Sequence, residues 1–270
     1  MNHASVTAPE EASGQGPNTA ATPGTQLRRQ ALICFSLATV VLLAAMASMQ
    51  ILVSEALGTV PSVKMFLLSC GMWAAITALS WRGLGWHEHA VFGPANIVTM
   101  FRAAGTALLA GSLPLAEQLL NQQSTQLLWL ATAFAIVLLA LDGVDGYLAR
   151  ISGIASVFGA RLDMEIDALL ALVISVFIWL SGEVGMWILG LGIMRYVFLL
   201  AALQAAPLRG KLYPSWRRKT VCVIQLATLC AILSPVVEPP LSAVLGQTAL
   251  VLLSMSFARD VLWLYQHQPR

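Results

Sequence analysis

The feature that most constrains this chain is a series of eight apolar runs, each roughly 20 residues long, between residues 31 and 263. A helix of about 20 residues crosses the hydrocarbon core of a bilayer and satisfies its own backbone polar groups there. With 58% hydrophobic and 10% charged residues, the chain is too apolar for a water-soluble domain. The sequence therefore predicts an all-α, polytopic transmembrane helical bundle. The predicted spans are residues 31–53, 62–81, 96–113, 126–148, 157–180, 184–205, 219–236 and 243–263.

The two ends of the chain differ from the apolar runs. Residues 1–26 contain no Leu, Ile or aromatic residue and are predicted to be a disordered N-terminal tail. Residues 265–270 are predicted to be a C-terminal tail. A cleaved signal peptide is an alternative for the first run, because Arg28 and Arg29 precede it and Ala45-Met46-Ala47 is similar to a cleavage site. The run stays apolar well beyond that site, which favours a membrane span.

Four aspartates lie within or beside these runs in two regularly spaced pairs. Asp142 and Asp145 are three residues apart, and Asp163 and Asp167 are four apart, so each pair projects from one face of its helix. An ionised carboxylate costs about 2.5–3.5 kcal/mol at the centre of a bilayer, so four of them need compensation. Two facing carboxylate pairs are the hard-oxygen ligand set expected for two Mg²⁺ or Mn²⁺ ions.

The basic residues fall mainly on alternate connections between the predicted spans. When the N-terminus is taken as cytoplasmic, that side carries nearly all Arg and Lys, as the positive-inside rule requires. This assignment predicts a multi-pass protein of the membrane, the inner membrane in a bacterium, with the aspartates at the cytoplasmic face. The cytoplasmic set is Arg28, Arg29, Arg82, Arg150, Arg161, Arg209, Lys211, Arg217, Arg218, Lys219, Arg259 and Arg270, and the opposite set is Glu55, Glu117, Glu183 and Glu238, with Lys64 nearby.

The aspartates belong to a longer pattern of fixed spacing, D-x2-D-G-x2-A-R-x8-G-x3-D-x3-D. Average residue usage produces such a pattern by chance at roughly 10⁻¹⁰ per starting position. The pattern resembles the signature of the CDP-alcohol phosphatidyltransferase family and matches it at all eight positions. These are Asp142, Asp145, Gly146, Ala149, Arg150, Gly159, Asp163 and Asp167. Upstream, Pro94-Ala95-Asn96-Ile97-Val98-Thr99 and then Arg102 resemble the P-N-x-x-T-x-x-R segment that opens the family's first core helix.

The resemblance implies a fold and an activity. The expected fold is a six-helix catalytic core over residues 93–264, preceded in residues 27–92 by two additional N-terminal transmembrane helices. The expected activity is transfer of a phosphatidyl group from CDP-diacylglycerol to a small alcohol acceptor, with release of CMP, in phospholipid biosynthesis. The implied partners are these substrates, membrane lipids and a second copy in a homodimer, and no nucleic acid.

The residue roles of the family carry over to the matching positions. Asp142, Asp145 and Asp163 would be metal ligands, and Asp167 would bind the second Mg²⁺ or Mn²⁺ and act as the general base. Small residues would admit the nucleotide, and an arginine would supply a planar donor fork for phosphate oxygens. The expected substrate contacts are Asn96, Thr99, Arg102, Gly146, Ala149, Arg150, Ser156 and Gly159.

The acceptor is less well defined by the sequence. Ala168 follows the last aspartate, where relatives that use phosphorylated acceptors commonly carry a basic residue, and this disfavours such an acceptor. Arg161 or Arg195 can supply that charge from elsewhere, although Arg195 is equally well explained by extension to the interface. The loop from Arg209 to Lys219 can attract anionic lipid or an acceptor phosphate, or reflect topology alone. Glu165 is predicted to point away from the aspartates.

Two other function classes remain open at this stage. Intramembrane prenyltransferases also bind a diphosphate through aspartates and Mg²⁺, but their acidic motifs lie far apart along the chain. An ion-coupled transporter can use buried acids as a relay, but this leaves the fixed glycines and arginine unexplained. His87 and His89 are interpreted as interfacial residues beside Trp86, and the four cysteines as packing residues.

Overall fold

The computed structural model describes residues 24–58, 63–116, 125–210 and 215–267, and all regular secondary structure in these residues is helical. The all-α prediction is therefore confirmed, and each of the eight predicted spans corresponds to one α-helix. The helices are α1 (Thr25–Leu57), α2 (Val63–Gly83), α3 (Pro94–Gly111), α4 (Thr125–Ser152), α5 (Val157–Leu180), α6 (Leu189–Gln204), α7 (Trp216–Leu233) and α8 (Leu241–Gln266).

Within the described residues, six helical segments are long and apolar enough to cross a bilayer, so the chain is a multi-pass membrane protein. They are Thr25–Leu57, Val63–Trp86, Pro94–Leu115, Thr125–Ser152, Met186–Gln204 and Leu241–Gln266. Helices α5 and α7 are absent from this set of described helices. Helix α5 carries Glu165 in addition to the second aspartate pair, and α7 has three consecutive basic residues directly after Trp216. Their crossing of the membrane, and the separation of α1 and α2 from a six-helix core, stay predictions.

The first and last helices extend two residues into the segments predicted to be tails. Helix α1 already begins at Thr25, inside the segment predicted to be disordered, and α8 continues to Gln266. The remaining tail residues lie outside the described part of the chain. Both helices extend beyond the apolar runs because polar residues at the ends of a span continue the backbone hydrogen bonding into the interfacial region.

Helix α3 lies at the centre of the part of the bundle that carries the motif. It packs against α1, α2, α4 and α5, and it is far more buried than the other long apolar helices. Small side chains allow these close approaches, because van der Waals contact between helices replaces the hydrophobic effect in a lipid environment. The buried small residues of α3 are Ala103, Ala104, Ala107, Ala110 and Gly111.

A short turn joins α4 to α5 and brings the two aspartate pairs together. Gly153 has a φ of 66°, in the left-handed region that a glycine adopts without steric cost. Ser156 then caps α5, and its side-chain oxygen accepts a hydrogen bond of 3.0 Å from the Gly159 N–H. The end of α4 and the start of α5 therefore lie next to each other, and both face α3.

Helix α6 packs closely on α5 at Gly192. A Cβ atom placed there would lie 2.6 Å from the Cα atom of Leu172 and would also collide with the Ser175 hydroxyl. Backbone atoms cannot move aside as the end of a flexible side chain can. The position of α5, and therefore of its aspartates, depends on this contact.

We expect Gly192→Ala to lower the thermal stability of the detergent-solubilised protein by about 1–3 kcal/mol, because α6 must move away from α5. Gly71→Ala is the matched control, since a Cβ at Gly71 on α2 meets no atom within 4 Å. This control should be neutral or stabilising, by up to about 1 kcal/mol, because Ala favours a helix over Gly. Equal melting temperatures for the two variants would contradict the packing argument.

Candidate metal and nucleotide site

The four aspartates of the motif converge on one buried arginine. The Nη1 atom of Arg102 lies 3.1 Å from Asp142 Oδ1, 2.8 Å from Asp145 Oδ2 and 2.7 Å from Asp163 Oδ1. Its Nη2 atom is hydrogen-bonded to Asp167 Oδ1. The spacing of the two pairs predicts that each projects from one helix face, and the structure brings both faces to the same point.

Helix α3 positions Arg102 so that its guanidinium contacts the four aspartates and one backbone carbonyl. Its side chain is 1% exposed, and its Nε donates a 3.2 Å hydrogen bond to the Leu138 carbonyl of α4. The sequence predicts a substrate contact for this residue. In the structure, its guanidinium instead binds the carboxylates. The positive charge of Arg102 compensates negative charge that would otherwise have no partner.

One guanidinium cannot neutralise the cluster. With all groups ionised, four carboxylates around one arginine leave three formal negative charges uncompensated. Buried charge of this kind requires paired cations, either from the protein or from bound metal. The described residues offer no second basic side chain within ion-pair distance of these aspartates.

The oxygen atoms of the cluster suit a hard divalent ion. Carboxylate oxygens of Asp142, Asp145 and Asp163 lie within 4.8 Å of one another. Asp145 Oδ2 accepts a 3.0 Å hydrogen bond from the Thr99 hydroxyl, but its buried Oδ1 has no hydrogen-bond partner among the described residues. A buried acceptor is normally satisfied, so this atom points to an additional ligand. Carboxylate oxygens are among the ligands that Mg²⁺ and Mn²⁺ prefer. These three aspartates therefore fit either ion.

A cavity of about 160 Å³ adjoins the carboxylates between α3, α4 and α5. Asp145 and Asp163 form part of its wall, so the cluster and the cavity share side chains. Its lining includes six of the eight residues predicted to contact substrate. These are Asn96, Thr99, Gly146, Ala149, Ser156 and Gly159.

Arg150 is exposed and lies at the edge of this cavity rather than in its wall. A Cβ atom at Gly146 would meet only the Arg150 Nη1 atom, at 3.5 Å. The lack of a side chain at Gly146 therefore leaves open space beside a guanidinium. Gly159 has a different role, because a Cβ there would lie 2.5 Å from Asn96 Oδ1, so its smallness allows α5 to pack against α3.

Other charged residues discussed from the sequence are paired away from the cluster. Glu165 accepts a 2.5 Å hydrogen bond from Arg195, in agreement with the prediction that it points away from the aspartates. Arg217 and Arg218 both lie near Asp260 of α8, at 2.5 Å and 3.7 Å. Lys211 of the same basic loop lies outside the described residues.

Sequence reasoning missed one residue that contacts the cavity wall from behind. His87 is buried and lies 2.9 Å from the Ser156 hydroxyl, although the two residues are 69 positions apart. The H-x-H pattern of His87 and His89 is visible in the sequence. Nothing in that pattern predicts a contact with Ser156 in the turn before α5. Trp86 is exposed, with the Arg161 guanidinium 5.6 Å from its ring centre, and its interfacial position stays a prediction.

We expect Mg²⁺ or Mn²⁺ to raise the thermal stability of the wild-type protein, since an ion that binds only the folded state stabilises it by about 2.7 kcal/mol at 100 times its Kd. Asp145→Asn should remove most of this increase, because it takes a charge from the buried end of the cluster. Glu165→Gln on α5 is the matched control and should respond to metal as the wild type does. An identical metal response in Asp145→Asn would contradict the assignment of Asp145.

Comparison with known proteins agrees with the site geometry. The family described as CDP-alcohol phosphatidyltransferase matches residues 92–258, which is more than half of the chain and contains every aspartate of the cluster. Curated proteins and solved structures gave no significant match. The family is one of divalent-metal-dependent enzymes that act on a CDP-alcohol and an alcohol acceptor. The chain is a member of the CDP-alcohol phosphatidyltransferase family.

Proposed function

We propose that this enzyme transfers a phosphatidyl group from CDP-diacylglycerol to an alcohol and releases CMP, with two Mg²⁺ or Mn²⁺ ions at the aspartate cluster. The observation that carries the proposal is the convergence of four carboxylates beside a cavity whose wall contains the small residues of the motif. Most basic residues fall on alternate connections between the predicted spans, and this pattern supports an active site at the cytoplasmic face.

In the proposed complex with CDP-diacylglycerol, the aspartate cluster binds the metal ions and the cavity binds the nucleotide. Asp142, Asp145 and Asp163 would hold the ions, which supply electrostatic stabilisation to the diphosphate as charge grows on the leaving oxygen. Gly146 and Ala149 would leave room for the nucleotide, and Arg150 at the cavity edge is available for its phosphates.

The proposed reaction needs one proton acceptor. The acceptor hydroxyl forms a bond to the phosphatidyl phosphorus while the bond from that phosphorus to the bridging oxygen breaks, and CMP leaves with the electron pair. The hydroxyl proton passes to a carboxylate oxygen of Asp167. The family resemblance assigns this role to Asp167, and its side chain is 25% exposed, so an acceptor hydroxyl can reach it. Arg102 binds Asp167 Oδ1 and would hold the carboxylate in place.

The ion pairs favour an acceptor without a phosphate group. Arg195 is paired with Glu165, and Arg217 is paired with Asp260. Arg161 lies over the ring of Trp86. Together with Ala168 after the last aspartate, these partners leave less basic charge for an anionic acceptor in the described part of the chain. We therefore propose an alcohol that carries no phosphate group.

Reconstitution in liposomes with CDP-diacylglycerol tests the function directly. We expect metal-dependent CMP release that requires an alcohol, with serine or choline more effective than glycerol 3-phosphate or inositol phosphate. Asp167→Asn should retain CMP binding but lower turnover by about 10²–10⁴-fold, the usual contribution of a general base. Glu165→Gln is the control on the same helix and should stay active.

The outcomes separate the competing functions. Turnover of a prenyl diphosphate without CMP release would indicate a prenyltransferase. Cation transport without turnover would indicate a transporter. Full activity in Asp167→Asn would contradict the base assignment while leaving the phosphatidyl transfer intact.

Gly146→Trp should abolish CMP binding without unfolding the bundle, because Gly146 lines the cavity and a Cβ atom there meets only the end of the Arg150 side chain. Gly143→Trp is the matched control, since Gly143 lies on the same helix, is exposed and has no atom within 4 Å of its Cβ position. Calorimetric titration with CMP measures the difference. Normal CMP affinity in Gly146→Trp would overturn the placement of the nucleotide.

A further inference from the structure

The connection between α2 and α3 contacts the wall of the cavity through His87. Residues 84–91 precede the part of the chain that matches the family. His87 is buried between Phe92 and Phe158, with ring-centre distances of 6.4 Å and 5.7 Å. Both of its ring nitrogens are within hydrogen-bond distance of a polar atom: Nδ1 is 2.9 Å from Ser156 Oγ, and Nε2 is 2.8 Å from the Val91 carbonyl oxygen.

These two partners fix the tautomer of the neutral ring. A carbonyl oxygen can only accept, so Nε2 of His87 must carry the proton and donate to Val91. Nδ1 then has a lone pair and accepts the hydroxyl proton of Ser156. Ser156 Oγ also accepts the N–H of Gly159 at 3.0 Å. The hydrogen bonds therefore run in one direction, from Gly159 through Ser156 and His87 to Val91.

This order decides what Ser156 offers to the cavity. A serine hydroxyl has one proton and two acceptor lone pairs. The proton is used by His87 and one lone pair by Gly159, so only an acceptor lone pair is left at this part of the cavity wall. We propose that His87 is a positioning residue that makes Ser156 a hydrogen-bond acceptor for a donor group, an amino or hydroxyl group, of the bound nucleotide. This inference rests on the proposed function.

Protonation of His87 would reverse the arrangement. With a proton on Nδ1 the ring donates to Ser156, both lone pairs of the hydroxyl are occupied, and its proton turns outward. Ser156 then becomes a donor, and the nucleotide amino or hydroxyl group loses its acceptor. Burial lowers the pKa of His87 below its ordinary value, the Val91 hydrogen bond raises it, His89 lowers it and Glu88 raises it. The neutral, acceptor form is therefore the form present at neutral pH, and it is lost as the pH falls through the pKa of His87.

Two amide substitutions separate the two nitrogens of the ring. The side-chain amide of His87→Asn occupies the place of Nδ1, so it can accept from Ser156 but cannot gain a proton. The amide of His87→Gln occupies the place of Nε2 and keeps only the Val91 contact. His267→Gln is the control, because His267 is exposed and stacks on Trp263 at the end of α8.

CMP binding measured by calorimetry in Mg²⁺ buffer between pH 5 and pH 8 tests the proposal. We expect wild type and His267→Gln to lose several-fold more affinity at low pH than His87→Asn, which should match wild type at pH 8. His87→Gln should bind CMP several-fold more weakly than wild type at pH 8 and should lack the extra loss of affinity at low pH. The titration of the CMP phosphate is common to all variants, so only the differences between them report on His87.

The same pH dependence in His87→Asn and wild type would overturn the proposal, as would wild-type affinity in His87→Gln at pH 8. If the His87 variants do not fold, Ser156→Ala serves instead and should lose the extra pH dependence. Absence of CMP binding in the wild type would count against the proposed function alone. In that case ¹⁵N-histidine spectra of the ligand-free protein decide the proposal, and a proton on Nδ1 of neutral His87 would contradict it.

Discussion

The buried ion cluster around Arg102 organises the described part of this protein. One guanidinium on α3 binds carboxylates from α4 and α5, and these ion pairs join the three helices at a largely buried arginine. Such a cluster contributes little net stability, because desolvation opposes the attraction between the charges. Its effect is to fix the relative positions of three helices, and an excess of negative charge remains that suits divalent ions.

The position of the cavity depends on how the ion cluster holds α3, α4 and α5. Thr99 and Asp145 belong to both the cluster and the cavity wall, and a 3.0 Å hydrogen bond joins them. A metal ion at the cluster and a nucleotide in the cavity would therefore contact the same side chains. The glycines serve two distinct purposes, since Gly146 leaves space for a ligand while Gly159 allows α5 to approach α3.

Much of this could be predicted from residue spacing. The apolar runs predicted all eight helices, because a single segment that crosses lipid must form a helix to satisfy its backbone hydrogen bonds. The i, i+3 and i, i+4 spacing of the aspartates predicted which helix faces they share. The ends of helices were less accurate, since polar residues continue a helix beyond the apolar run. The burial of Arg102 inside the cluster and the contact of His87 with Ser156 could not be predicted, because both depend on tertiary distances across 36 to 69 residues. No local pattern encodes them.

The placement of Arg102 also has a consequence for biosynthesis. Arg102 is translated before all four carboxylates that neutralise it, and the last of them follows 65 residues later. At typical elongation rates of about 5–20 residues per second, this is a delay of roughly 3 to 13 s. During that interval α3 carries an unpaired cation that hydrocarbon disfavours, so it stays beside the translocon or another polar surface. The pairing of Arg102 therefore favours entry of the three helices into the lipid phase as one group.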